Sequence, residues 1–287
     1  MKPSKSTASK STRSTRCTPD LRMRKSIRYL LAGLLTALLL TANAQTPSAA
    51  NGKLITVNSR EGVKISYWWM SHPQATQTVL LFAGGGGGMG YKDGQPQSEN
   101  FLVRSRGLFF EQAFNVAILG NPSDMRDMPA PYVWRTSKQH AHDVLAVMDD
   151  FSKSSQQPVW LVGTSAGTIS VAALGPQLQD RLAGLVLTAS VTTYQWSTGI
   201  PKLNIEPIRL PVLLYHHQDD ACQWTQAREL PWISRKLINA SLVKTMVVTG
   251  GANPTGHPCE ALHWHGFIGM EQQAVQDISA WINNPQP

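Results

Sequence analysis

The chain has 287 residues, a formal net charge of +8 and three cysteines. Residues 1–44 hold nine Lys/Arg and one acidic residue, which leaves 17 basic against 17 acidic residues beyond them. The near-neutral remainder gives no argument for a nucleic-acid partner, and its 243 residues suffice for one domain with a sizeable core.

In chain order, Arg22, Arg24, Lys25 and Arg28 precede an apolar run over 29–40, and Thr41-Ala42-Asn43-Ala44 follows. A basic segment, a short apolar run and an Ala-x-Ala site read as a secretory signal, with cleavage expected before Gln45. The run is well short of the roughly 20 residues a spanning helix needs, so no stable membrane anchor is expected after cleavage. Residues ahead of Met23 are rich in Ser, Thr, Lys and Arg, and Met23 would itself open a signal of ordinary length. The expected division is 1–44 as N-terminal extension and signal and 45–287 as one domain, periplasmic or secreted. Cys17 leaves with the signal, while Cys222 and Cys259 remain as an even pair. In an oxidising compartment that pair is expected to form a disulfide.

Segments 53–58 and 63–69 flank Ser59-Arg60-Glu61-Gly62 and read as a hairpin. Continuous apolar runs at 78–82, 115–119, 159–162, 185–187, 212–215 and 242–248 read as strands buried on both faces. Helical patterns lie between them at 137–151, 166–174 and 226–237, with 267–282 closing the chain. Thr136 and Gln139 are spaced as a capping box for the first. The alternation predicts an α/β fold: a mostly parallel central sheet with helices on both faces. Residues 191–210 are too few for a large cap domain. Access to a site would then be governed by loops 85–100, 121–136 and 191–208. Trp134, Trp196, Trp224 and Trp264 lie in or beside loops that could line a cleft, although tryptophan more often packs.

Gly163-Thr164-Ser165-Ala166-Gly167 fits Gly-x-Ser-x-Gly. The pattern alone is cheap, but here a strand enters it and a helix leaves it. That sharp turn holds a serine hydroxyl at the carboxyl edge of the sheet, beside a helix N-terminus that stabilises developing negative charge. Phe82-Ala83-Gly84-Gly85-Gly86-Gly87-Gly88-Met89-Gly90 is not a phosphate loop, because no Gly-Lys-Ser/Thr ends it. A dinucleotide fingerprint fails too, since Asn121 and Pro122 stand where an acidic residue is needed. Such a run of glycines also fits a loop that orders only on substrate binding.

With Ser165, an acidic loop after 212–215 and histidines near the end of the chain, residues 53–284 resemble the α/β-hydrolase superfamily. The likeness is to a cap-less serine esterase, dienelactone-hydrolase-like or prolyl-oligopeptidase-like. In Pro211-Val212-Leu213-Leu214-Tyr215-His216-His217-Gln218-Asp219-Asp220, the resemblance puts the triad acid at Asp220, with Asp219 as the alternative. His217 replaces a usual glycine. In His263-Trp264-His265-Gly266-Phe267 it puts the base at His265, with His263 second. The oxyanion donors it implies are Ala166 and a glycine of the 84–86 run, Gly85 first. The loop lacks the histidine of the His-Gly-Gly-Gly esterase motif, with Ala83 in its place.

The activity implied is cleavage of an acyl bond, a carboxylic ester ahead of an amide, peptide or thioester, in a small-molecule substrate and without a cofactor. Two alternatives stay open. A hydrolase fold can serve as a non-catalytic binding module, and His257, Cys259, His263 and His265 could instead hold a metal. His140 and His142, two apart on a helix, point to different faces and add nothing to such a site. No metal is expected.

Overall fold

The computed structural model describes residues 52–125, 132–193 and 199–287. The expected signal segment, Cys17 and Trp196 lie outside the described residues. Strands β1 (Lys53–Arg60) and β2 (Val63–Met70) form the expected hairpin. Arg60 pairs with Val63, so the turn is only Glu61-Gly62, shorter than the four residues expected. Then come β3 (Gln77–Phe82), a small ribbon of β4 (Tyr91–Lys92) and β5 (Gln95–Pro96), and two short helices, α1 (Phe101–Arg104) and α2 (Arg106–Glu111). The ribbon and the two helices carry too few residues to show a period, and their sequence gives no signal.

β6 (Phe114–Pro122), α3 (Tyr132–Arg135), α4 (Lys138–Phe151), β7 (Val159–Thr164) and α5 (Ala166–Leu178) follow. β8 (Gly184–Thr188), β9 (Pro211–His217), α6 (Leu230–Ser234), β10 (Leu242–Val248) and α7 (Glu271–Asn283) complete the chain. Eight strands make one sheet in the order β1-β2-β6-β3-β7-β8-β9-β10. β2 runs antiparallel to both neighbours, and all pairs from β6 through β10 are parallel.

Side chains of a strand alternate between faces, and β3 shows what this does to an unbroken apolar run. Leu80 and Phe82 face the core under α4, α5 and α6, with Val144, Leu174 and Ile233. Val79 and Leu81 face the other core, under α1, α2 and α7, with Phe101, Phe109 and Ile278. Both faces are covered over the inner strands, which therefore lack a polar alternate, as in other parallel sheets. β10 departs from the expected two-sided burial, because at the sheet edge it is half-exposed and keeps Lys244 and Thr245. Residues 189–210, between β8 and β9, leave no room for a large cap. Among the described residues, no helix is long and apolar enough to cross a membrane.

Helix boundaries depart from expectation where one residue's chemistry overrides the pattern. The cap of α4 is Ser137, whose Oγ accepts the His140 N–H, while the Thr136 hydroxyl turns back to Tyr132 O and Val133 O. The expected helix over 226–237 breaks into a 3-10 turn, Ala227–Glu229, and a short α6. Pro231 has no N–H to continue a helix begun upstream but fits the first turn of a new one. The last helix begins at Glu271, not 267, because Phe267 adopts a left-handed φ of 59° that no helix accommodates.

Candidate active site

β7 ends at Thr164 and α5 begins at Ala166, so Ser165 alone makes the turn between them. Its φ of 52° and ψ of −127° are a strained combination for a side chain with a Cβ. The surroundings hold it there. Ser165 N–H donates to Thr188 O of β8, and Ser165 O accepts from both Thr168 N–H and Thr168 Oγ1. The helix also lies hard against the sheet, since a Cβ on Gly167 would stand 2.1 Å from Phe82 O. Only glycine permits that approach. Ala166 is the first helical residue, so its N–H has no acceptor within the helix.

The base and acid candidates come from two loops after β9 and β10. His265 sits in a 3-10 turn, Trp264–Gly266, and is buried. Its Nδ1 donates to Asp220 Oδ2 at 3.0 Å and stands 3.1 Å from Thr225 Oγ1. Asp220, also buried, accepts from Cys222 N–H at Oδ1 and from the Thr225 hydroxyl at Oδ2. Asp219 is exposed instead. His263 packs edge-on against Trp264, and its Nδ1 has no hydrogen-bond partner among the described residues. Thr225 carried no sequence signal, because a lone threonine five residues beyond an aspartate is commonplace.

His216 and His217 are structural. His217 lies flat against Trp264, donates Nε2–H to Gly250 O and accepts Asp219 N–H at Nδ1. His216 Nε2 accepts Ser190 N–H, and burial pushes its pKa down to about 3. A histidine whose folded pKa lies below its ordinary 6.5 binds a proton more readily when unfolded. Its contribution to stability is therefore complete above pH 6.5 and is lost as pH falls toward about 3. Urea unfolding at pH 7 and pH 4.5 should show the wild type losing about 2–3 kcal/mol more than His216→Gln across that interval. Equal losses would remove His216 as the source. Burial holds His140 low as well, with Arg135 adding to the shift.

Cys222 and Cys259 form a disulfide across 37 residues of chain. The bridge joins the loop carrying Asp220 to the loop carrying His265. It also bears on the metal alternative. Among the described residues, the one group close enough to hold an ion is Asp220, Cys222 and His265, and an oxidised Cys222 has no thiolate to offer. His257, Cys259, His263 and His265 are not gathered as ligands, since the Cys259 sulfur is bonded to Cys222 and His257 Nδ1 accepts Cys259 N–H. By the loop-entropy argument the bridge contributes about 4 kcal/mol. The double variant Cys222→Ser/Cys259→Ser is expected to unfold at distinctly lower urea than the oxidised protein. A matching midpoint would refute the constraint.

The glycine run closes the site from the other side. Far from hanging loose, each of its first three carbonyls is tied: Gly84 O to Gly87 N–H, Gly85 O to Arg135 Nη2 and Gly86 O to Asn121 Nδ2. Arg135 is buried and also donates to Ser170 Oγ on α5, so it spans from the helix behind Ser165 to the loop in front. The N–H of Gly85 takes no backbone acceptor among the described residues.

Together these parts line a cleft of about 360 Å³. Its walls are Gly84–Gly87, Ser98–Phe101, Thr164 and Ser165, and the loop bearing Cys259, Ala261, His265 and Gly266. Ser165 and His265 thus face one space. Of the access loops expected, 85–100 lines the cleft. Described residues of 121–136 brace the glycine run from behind, 249–266 adds a wall that was not expected, and no described residue of 191–208 lines the cleft. No described tryptophan lines it: Trp134 packs on His140 and Trp264 on His217.

No protein-family model matches the chain, and no curated protein sequence does. Solved structures do. Dienelactone hydrolase from Anabaena variabilis aligns with a TM-score of 0.59 at 12% identity, over 82% of this chain and 98% of that one. A Pyrococcus furiosus esterase also gives 0.59 at 12% identity, covering 82% and 92% of the two chains. Monoglyceride lipase from Saccharomyces cerevisiae gives 0.58 at 12%, covering 82% and 96%. At such identities the similarity is one of backbone architecture.

Proposed function

Because this chain has the α/β-hydrolase fold, we propose that it is an exported serine hydrolase acting on a carboxylic ester of a small molecule. The observation that carries the reading is the hydrogen bond of His265 to Asp220, buried in the same cleft that Ser165 enters from a strained turn. Ser165 Oγ attacks the acyl carbon while His265 Nε2 takes its proton. Asp220 holds the proton on Nδ1, which leaves Nε2 free to accept, and stabilises the imidazolium that forms. The N–H groups of Ala166 and Gly85 hold the oxyanion. His265 returns the proton to the departing alcohol, and water then releases the acyl group from Ser165 by the same steps in reverse roles.

Export is supported by the basic and apolar N-terminal segment and by the disulfide. The structural neighbours, a dienelactone hydrolase, an esterase and a monoglyceride lipase, favour an ester over an amide. The cleft walls are largely glycine backbone and short polar side chains, which suits a compact acyl group. The decisive experiment treats the protein with a fluorophosphonate and maps the adduct, alongside hydrolysis of short-chain p-nitrophenyl esters. Modification at Ser165 with ester turnover is the expected result. A protein that neither labels nor turns over would instead be a binding module of the same fold.

A further inference from the structure

Asn100 stands at the cleft in an orientation that its own backbone contacts decide. Its Oδ1 accepts Leu102 N–H at 3.2 Å as the cap of α1, its N–H donates to Ser98 Oγ, and its carbonyl accepts Arg104 N–H. With the oxygen end of the amide committed to the cap, Nδ2 is the end that projects elsewhere. It stands beside Gly84, as Ser165 does. The point where a Cβ on Gly84 would sit lies 3.3 Å from Asn100 Nδ2 and 2.9 Å from Ser165 Cβ. Gly84 has no such atom, and a Cβ there would crowd Ser165 Cβ and, at 3.1 Å, Thr164 O, so glycine is what lets the amide and the serine stand this close; all three residues line the cleft. Among the described residues, Nδ2 donates to no protein acceptor.

We infer that Asn100 is a catalytic residue whose Nδ2 supplies a third hydrogen bond to the substrate's acyl oxygen, beside the two backbone donors. This rests on the hydrolase reading above. A neutral amide suits the task, because it donates to a developing oxyanion without an ammonium's charge to bind product tightly. Its cap bond fixes it before substrate arrives, and donors that need no reorganisation stabilise a transition state most. Removing one side-chain donor from an oxyanion site costs on the order of 10²–10³-fold in kcat.

Truncation to alanine would confuse catalysis with loss of the helix cap. The useful variants are therefore Asn100→Asp and Asn100→Ser, since both keep an oxygen that caps α1 while neither keeps the amide donor. Each is expected to unfold at the wild-type urea concentration, with KM changed less than threefold and kcat for a p-nitrophenyl ester about 10²-fold lower. Asn100→Asp should be the slower, because its carboxylate faces the oxyanion. A thionoester substrate adds a readout that a structural role would not move. Sulfur is a poor acceptor, so the wild-type preference for the oxygen ester should contract in Asn100→Ser. Wild-type kcat and an unchanged ester-to-thionoester ratio in both variants would overturn the inference and leave the hydrolase reading intact. A wild type that neither turns over esters nor labels at Ser165 would overturn both.

Discussion

Ser165→Ala is expected to reduce kcat/KM for ester hydrolysis by about 10⁶-fold, the scale seen when a serine nucleophile is removed from an intact triad. The fold should tolerate it. Ser165 is anchored through its backbone, by Thr188 and Thr168, and its hydroxyl makes no protein hydrogen bond among the described residues. Ser165→Gly sharpens the case, because a φ of 52° strains serine and alanine alike but not glycine. That variant should match alanine in inactivity and yet be more stable than wild type by about 1 kcal/mol. Kinetics and urea unfolding of the three proteins test both halves. Activity retained in either variant would mean that another residue attacks the substrate.

Asp220→Asn is the second large effect, expected at about 10⁴-fold in kcat. Asp220 offers two acceptor oxygens, Oδ1 to Cys222 N–H and Oδ2 to Thr225 Oγ1 and His265 Nδ1. Asparagine keeps only one oxygen. If that oxygen stays on Cys222 N–H, an NH₂ group faces His265 Nδ1 and demands that Nδ1 accept. The ring proton then moves to Nε2, the nitrogen that must receive the serine proton. Thr225→Val removes a hydroxyl from the same carboxylate without reversing any donor, so its loss should stay within about tenfold, the scale of one hydrogen bond. Comparable losses in the two variants would contradict a tautomer-fixing role. Asp219→Asn, at an exposed position, serves as the control and should change little.

These effects rest on contacts of very different visibility in the sequence. The sheet was readable because burial on both faces leaves a strand such as 78–82 without a polar position, a local and unmistakable pattern. Ser165 was readable because a strand, a glycine-flanked serine and a helix are consecutive in the chain. His265 and Asp220 were reached through the resemblance, and the structure places them 3.0 Å apart across 45 positions of sequence. The preference for Asp220 over Asp219 came from the resemblance and not from local composition. Adjacent aspartates on one loop have the same composition around them, and only the direction each side chain takes separates a buried partner from a solvated charge.

What the sequence by itself determined, then, is the layered α/β class, the turn at Ser165 and the pairing expected of two cysteines. Each is written in neighbouring residues or in a count. Tertiary structure alone decided which loops meet at the cleft and what holds them. Arg135 reaching Gly85 O and Asn100 Nδ2 standing with Ser165 beside Gly84 join residues 50 and 65 positions apart, and no period or motif encodes such a meeting. Helix ends fell between the two, since Pro231 and the left-handed Phe267 each override the apolar pattern around them. The physical reason is the range of the interaction. Burial and backbone propensity act over a turn or a strand, whereas a side-chain hydrogen bond depends on where the finished fold puts both of its ends.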